Sequence, residues 1–128
     1  MSMQQIATSP DPYAPYLLSQ GIRIGDLLLV SGQVGIDGEG ELVSVDDFEA
    51  QADQAFRNLG AVLEAGGSSL DRVAKVTIFL TDMAANFPKV VELRRRWFTP
   101  PYPADTIVEV RSLYRPEVML EIEAIAVA

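Results

Sequence analysis

Apolar and polar residues alternate with a period of two in several stretches and recur at helical spacing in two others. Ile22 to Ile24 and Leu27 to Ser31 read as short strands separated by Gly25-Asp26, a strong turn dipeptide, so a hairpin is expected there. From Asp46 the period changes. Asp46-Asp47-Phe48-Glu49 resembles a capping box, and Phe48, Ala52, Ala55, Phe56, Leu59, Val62 and Leu63 fall on one helical stripe until Gly66-Gly67 stops it. Val73 to Thr81 is a β-branched, apolar strand. Strict alternation puts Ala74, Val76, Ile78 and Leu80 on one face and Val73, Lys75, Thr77 and Phe79 on the other. A second helix is expected from about Asn86 to Phe98, with Pro88 in its first turn and Val90, Leu93 and Trp97 as its buried stripe. The prolines of Thr99 to Pro103 exclude regular structure. Two strands follow, Asp105 to Leu113 and Val118 to Val127, joined by a turn at Tyr114 to Glu117.

The predicted order is β-β-α-β-α-β-β, an α+β fold with two helices on one face of a mixed sheet. The first fifteen residues read as an extended arm, stiffened by the Pro- and Tyr-rich stretch Ser9 to Tyr16. This leaves the second face of the sheet to be explained. In the last strand Leu120, Ile122, Ala124 and Ala126 share one side, yet Ile125 and Val127 are apolar on the other, and Leu27 to Val30 is apolar on both. A two-layer monomer would expose that surface, so a homo-oligomer is expected.

Composition then narrows the chemistry. The 128 residues read as one domain, 1–128, with 48% hydrophobic and 22% charged residues, ordinary for a globular protein. A net charge of −8 opposes attraction to nucleic acid or anionic lipid. Neither Cys nor His is present, which excludes thiolate and His-based metal sites, Ser-His triads and disulfides. Catalysis has to use carboxylates, hydroxyls, Arg, Lys, Tyr or backbone amides, and neither metal nor cofactor is expected. Met1 to Pro10 has no basic start and no apolar core, and no run is long enough to span a bilayer, so a cytoplasmic protein is expected. The glycine-rich Gly32 to Gly40 lacks the Lys-Ser/Thr of a phosphate loop and reads as a tight turn. Arg94-Arg95-Arg96 reads as a solvated flank or a pairing surface between subunits.

One stretch stands out chemically. Pro103-Ala104-Asp105-Thr106-Ile107-Val108-Glu109-Val110 sets a carboxylate at the mouth of an apolar strand, a place that demands a partner or a use. With Ala14-Pro15-Tyr16, Ser31-Gly32-Gln33 and Glu121-Ile122-Glu123-Ala124-Ile125-Ala126, in this order and over residues 12 to 127, the chain resembles the Rid family. These are the YjgF-like reactive intermediate deaminases, once described as L-PSP endoribonucleases. The resemblance implies a chorismate-mutase-like fold and a homotrimer with ligand clefts between subunits. It also implies cofactor-free hydrolysis of enamines and imines such as 2-aminoacrylate.

By the same resemblance Tyr16 is the cleft tyrosine, Ser31 and Gly32 form the loop facing the ligand, and Glu121 orients water. The family's carboxylate-binding arginine belongs two residues after Pro103, where this chain has Asp105. An ionised aspartate accepts hydrogen bonds and repels the anion that a guanidinium would hold. The resemblance therefore implies a subgroup lacking the arginine. Ile107, on the same side of its strand as Asp105, completes the substrate-binding candidates Tyr16, Ser31, Gly32 and Ile107. Arg111 and the Arg94 to Arg96 run are the cations available to replace the lost anchor; for Arg111, pairing with Glu109, Glu121 or Glu123 is the expected role.

Three functions follow. The first is an enzyme in which Asp105 and Glu121 line one cleft, where mutual repulsion raises one pKa and divides acid and base roles between them, acting on a small neutral or cationic imine or enamine. The second is a non-catalytic trimer that binds a metabolite or serves as a scaffold, with Asp105 capping backbone amides or pairing with an arginine. An endoribonuclease ranks last, given the negative charge and the missing basic stripe.

Overall fold

In the computed structural model, which describes residues 2–128, a six-stranded mixed sheet carries two helices on one face. The strands are β1 (Met3–Ile6), β2 (Gly21–Ile24), β3 (Leu27–Gln33), β4 (Val73–Leu80), β5 (Ala104–Glu109) and β6 (Leu120–Val127). The helices are α1 (Phe48–Ala65) and α2 (Met83–Trp97). In space the strand order is β1-β2-β3-β6-β4-β5. All neighbours are antiparallel except β4 and β5, which run parallel through the α2 crossover.

The α+β layering agrees with the sequence reading, with one strand added. Met3–Ile6, expected as part of an extended arm, pairs with β2 and forms one edge of the sheet; Ile6 is buried against the core. The arm continues through a short 3-10 turn at Ala14–Tyr16. The last two strands are shorter than their apolar patterns suggest: β5 stops at Glu109, and β6 begins at Leu120.

Between the helices and the sheet lies one continuous core. Phe56, Leu59 and Leu63 of α1 pack with Ile78, Leu80, Leu120 and Ile122, all of them fully buried. Phe56 stacks on Trp97 at 5.9 Å and meets Phe98 edge-on at 5.5 Å, which locks α1 to the end of α2. Asp53 reinforces this joint by accepting hydrogen bonds from Trp97 Nε1 and Arg96 Nη1.

Helix ends follow local chemistry. Asp47 caps α1 by accepting from the Ala50 amide at 3.1 Å. Beyond its other end, Gly67 takes φ +86°, a left-handed conformation that suits glycine. The second helix starts three residues earlier than expected, because Asp82 rather than Asn86 provides the cap, accepting from Ala85 N at 3.1 Å. Pro88 consequently sits in the second turn, not the first.

The face assignment of β4 also needs a correction at its start. Val73 is buried and Ala74 exposed, the reverse of strict alternation, because the register against β6 slips between Val73 and Lys75. One extra residue turns the strand over, a change that period-two counting cannot see.

Candidate active site

The open face of the sheet is where the unexplained chemistry gathers. Along β3 the register against β6 shifts between Val30 and Gln33, so the Ser31-Gly32 segment bulges out of the ladder. The bulge is pinned from three sides. Ser31 N donates to Gln20 O at 2.9 Å, Ser31 Oγ to Ser19 O at 2.6 Å, and Tyr13 Oη to Gly32 O at 2.5 Å. Opposite the bulge stands Glu121 of β6. A Cβ built on Gly32 would lie 2.6 Å from the Glu121 carboxyl carbon, so only glycine leaves room for this carboxyl group.

These residues form the inner wall of a cavity of about 280 Å³. Tyr13, Tyr16, Tyr114, Gly32 and Glu121 line it together with Leu18, Val34 and Ile36. No Lys or Arg is among its lining residues. Glu121 enters no ion pair among the described residues, and burial, seconded by the neighbouring Glu123 charge, raises its carboxyl above the usual range. Burial likewise pushes the Tyr13 phenol up, with the Glu121 charge adding to the effect. Tyr114 is raised by burial too, opposed by the adjacent Arg115.

Of the residues singled out in the sequence, Tyr16, Gly32 and Glu121 meet at this cavity. Ser31 lies beside it, with its hydroxyl committed to the Ser19 carbonyl rather than open to a ligand. Asp105 and Ile107 are elsewhere. In register they pair with Val76 and Ile78, which face the helices, whereas Glu121 pairs with Phe79 on the opposite face. Within one chain the expected Asp105–Glu121 carboxylate pair is therefore not formed: the two acids sit on opposite sides of the sheet.

Asp105 has a different partner. Its carboxylate accepts two hydrogen bonds from Arg94, Nε to Oδ2 at 2.9 Å and Nη2 to Oδ1 at 3.0 Å, a bidentate pair with both side chains largely buried. Four residues on, Glu109 Oε1 accepts from Met83 N at 2.9 Å at the first turn of α2. Because α2 runs back against β5, the two acids of one strand face grip opposite ends of one helix: Glu109 at its amino end, where the dipole favours an anion, and Asp105 near its carboxyl end. Ile107 between them packs on the core. The rest of the arginine run is also paired within the chain, Arg95 with Glu92 and Arg96 with Asp53. Arg111 is exposed beyond the end of β5 and joins no ion pair among the described residues, including none with Glu109, Glu121 or Glu123.

Two of the three cavity tyrosines escaped the sequence reading. Tyr13 precedes the quoted Ala14-Pro15-Tyr16 and looked like part of a stiff arm, while Tyr114 looked like a turn residue. The concentration of Tyr in otherwise polar, Pro-rich connections was the available signal, since aromatic residues are enriched at binding surfaces and loops carry such surfaces.

Comparison with known proteins gives the chain its family. The family model described as Endoribonuclease L-PSP matches residues 6–128. A RutC family protein of Pyrococcus horikoshii is 43% identical over 119 residues, 92% of this chain and 90% of that protein. The mouse protein named 2-iminobutanoate/2-iminopropanoate deaminase is 38% identical over 123 residues, 95% of this chain and 89% of that protein. Among solved structures, RidA from an Antarctic Psychrobacter superposes with a TM-score of 0.89 at 37% identity, covering 98% of this chain and 99% of its own. With the sheet order, the helix layer and the Glu121 cavity in view, these similarities over nearly the whole length establish that the chain belongs to the Rid family, the L-PSP group.

Proposed function

We propose that the protein is a cofactor-free hydrolase of imines or enamines, a Rid-type deaminase whose substrate range differs from that of 2-imino acid deaminases. The observation that carries this reading is Glu121: a carboxyl group without an ion-pair partner, partly buried, with raised pKa, on the wall of a cavity walled by tyrosines. Such a group can both take up and release a proton during a reaction. In the reaction, water adds to the C=N carbon while Glu121 takes a proton from it. Glu121 passes that proton to the nitrogen, completing a carbinolamine, and then takes the proton of the new hydroxyl and delivers it to the departing nitrogen as the carbinolamine collapses to a carbonyl. The net change is imine plus water to carbonyl compound plus ammonia or amine.

The altered range follows from Asp105. Where the family's arginine would hold a carboxylate, this chain has an acid already neutralised by Arg94 in a clamp on α2. Tyr16 and Gly32 are assigned to the substrate wall, Tyr13 and Ser31 to holding the bulge, and Ile107 to support from the core. The assembly we propose is a homotrimer with its ligand clefts between subunits. Support comes from the open sheet face, where Leu27, Leu29, Ile125 and Val127 remain partly exposed. Sedimentation showing a stable 14.0 kDa monomer would reject the trimer.

The decisive assay offers the purified protein a panel of freshly generated imines with and without a carboxylate, following release of ammonia. Turnover of carboxylate-free imines that disappears in Glu121→Ala is expected. An activity that survives both Glu121→Ala and Asp105→Ala would put the chemistry elsewhere in the molecule. Ligand-dependent thermal stabilisation without any product would instead favour a metabolite-binding trimer. An RNase role is the weakest of the three, because a chain of net charge −8 lacks the basic surface that RNA requires.

A further inference from the structure

We propose that the Glu121 cavity is a receptor for an organic cation, an ammonium or iminium group on a compact apolar body that carries no carboxylate. The proposal rests on reading this cavity as the substrate site and adds the charge and shape of what enters it. The argument starts from the wall. Tyr13, Tyr16 and Tyr114 present three electron-rich rings to one cavity, and the only charged group among its lining residues is the Glu121 carboxyl. Tyrosine faces attract cations electrostatically, more strongly when water is excluded, and choline-type ligands are commonly held by such rings. The other side chains of the wall, Pro12, Leu18, Val34 and Ile36, are apolar and offer nothing to an anion.

The surroundings point the same way. Glu123 lies on the same face of β6 and adds its negative charge to that of Glu121, while Tyr13 approaches from the N-terminal arm and Tyr114 from the β5–β6 loop. Arg115, which acts on Tyr114, sits 3.7 Å from Glu117 Oε2 and is not among the lining residues. The lining residues of one subunit thus give Glu121 no counter-charge, and burial, with the Glu123 charge, pushes its proton affinity up. A bound cation supplies that counter-charge. The ring of Tyr13 is held in place for this by its hydroxyl, which donates to the Gly32 carbonyl. A net charge of −8 further concentrates cations around the whole molecule.

Three probes of nearly one shape and different charge test the idea without any turnover: tetramethylammonium, tert-butanol and pivalate, titrated into the intact protein by calorimetry or NMR. Tetramethylammonium is expected to bind at least about tenfold more tightly than tert-butanol, with pivalate weakest. Its affinity should fall as pH is lowered and Glu121 takes up a proton, and this dependence should vanish in Glu121→Gln, because the probe itself does not titrate. Tyr114→Leu, at a half-exposed loop position, should weaken tetramethylammonium several-fold and leave tert-butanol unchanged. Pivalate binding as tightly as tetramethylammonium, no preference between tetramethylammonium and tert-butanol, or no binding by any of the three would each overturn the proposal. A protein that binds the cation but hydrolyses no imine would retain the proposal and lose the deaminase reading.

Discussion

Asp105 and Glu121 are both acids on sheet strands, and the two faces of the sheet treat them in opposite ways. Facing the helices, Asp105 is answered by a bidentate guanidinium and becomes part of the clamp on α2. Facing away from them, Glu121 joins no ion pair among the described residues, sits beside another acid and keeps its proton more readily than an ordinary glutamate. The difference teaches how to separate structural from functional charge. A buried carboxylate with a matched partner is accounted for by the fold, whereas one whose environment opposes its charge is a cost that folding alone does not explain.

The comparison can be broken most forcefully on the helix-covered side. Phe56→Ala removes a fully buried ring that joins α1 to Trp97 and Phe98, and is expected to cost about 4 kcal/mol in urea or guanidinium unfolding. On the open side, Gly32→Ala forces the Glu121 carboxyl out of its place. We expect about 2 kcal/mol of destabilisation from overpacking, and loss of tetramethylammonium binding in the folded fraction, measured by denaturation and titration of one preparation.

The clamp itself should register next. Asp105→Ala leaves the Arg94 guanidinium without its partner; with side-chain exposures of 17% and 26% the pair lies between a surface and a buried bridge, and a loss of about 1–2 kcal/mol is expected. In a double-mutant cycle with Arg94→Met the coupling should account for most of that loss. A coupling near zero would mean that the two side chains meet without holding α2.

The smallest effect sharpens the contrast through its sign. The raised pKa of Glu121 means that the native state holds this proton more tightly than the unfolded chain does. Its stabilising contribution is complete at low pH and is lost as pH rises through the native-state titration. Glu121→Gln removes that loss. Thermal melts from acidic to neutral pH should show the variant gaining on the parent as pH rises; an equal pH dependence in both would place Glu121 in an ordinary, solvated setting.

Much of the fold was legible because its elements are amphipathic. The α1 stripe from Phe48 to Leu63 and the period-two pattern of β6 need only one buried face each, and local spacing reveals that face. The misplacements arose where partners decide. Met3–Ile6 becomes a strand because β2 offers an open edge, α2 begins at Met83 because Asp82 outcompetes Asn86 as its cap, and a bulge turns Val73 inward. The candidate site was half visible. Tyr16, Gly32 and Glu121 came from motifs that resemble a family, but Tyr13 and Tyr114 had no periodicity to mark them, since loop residues are recruited by proximity alone.

The sequence by itself determined the α+β layering, the negative field, the absence of thiol and imidazole chemistry, and the presence of an acid where the family has an arginine. Only the tertiary structure decided what each acid does, since strand order and register set which face a residue meets. By that rule β5 turns Asp105 toward the α2 cation, and the bulge in β3 opens beside Glu121 a space that no cation of its wall fills.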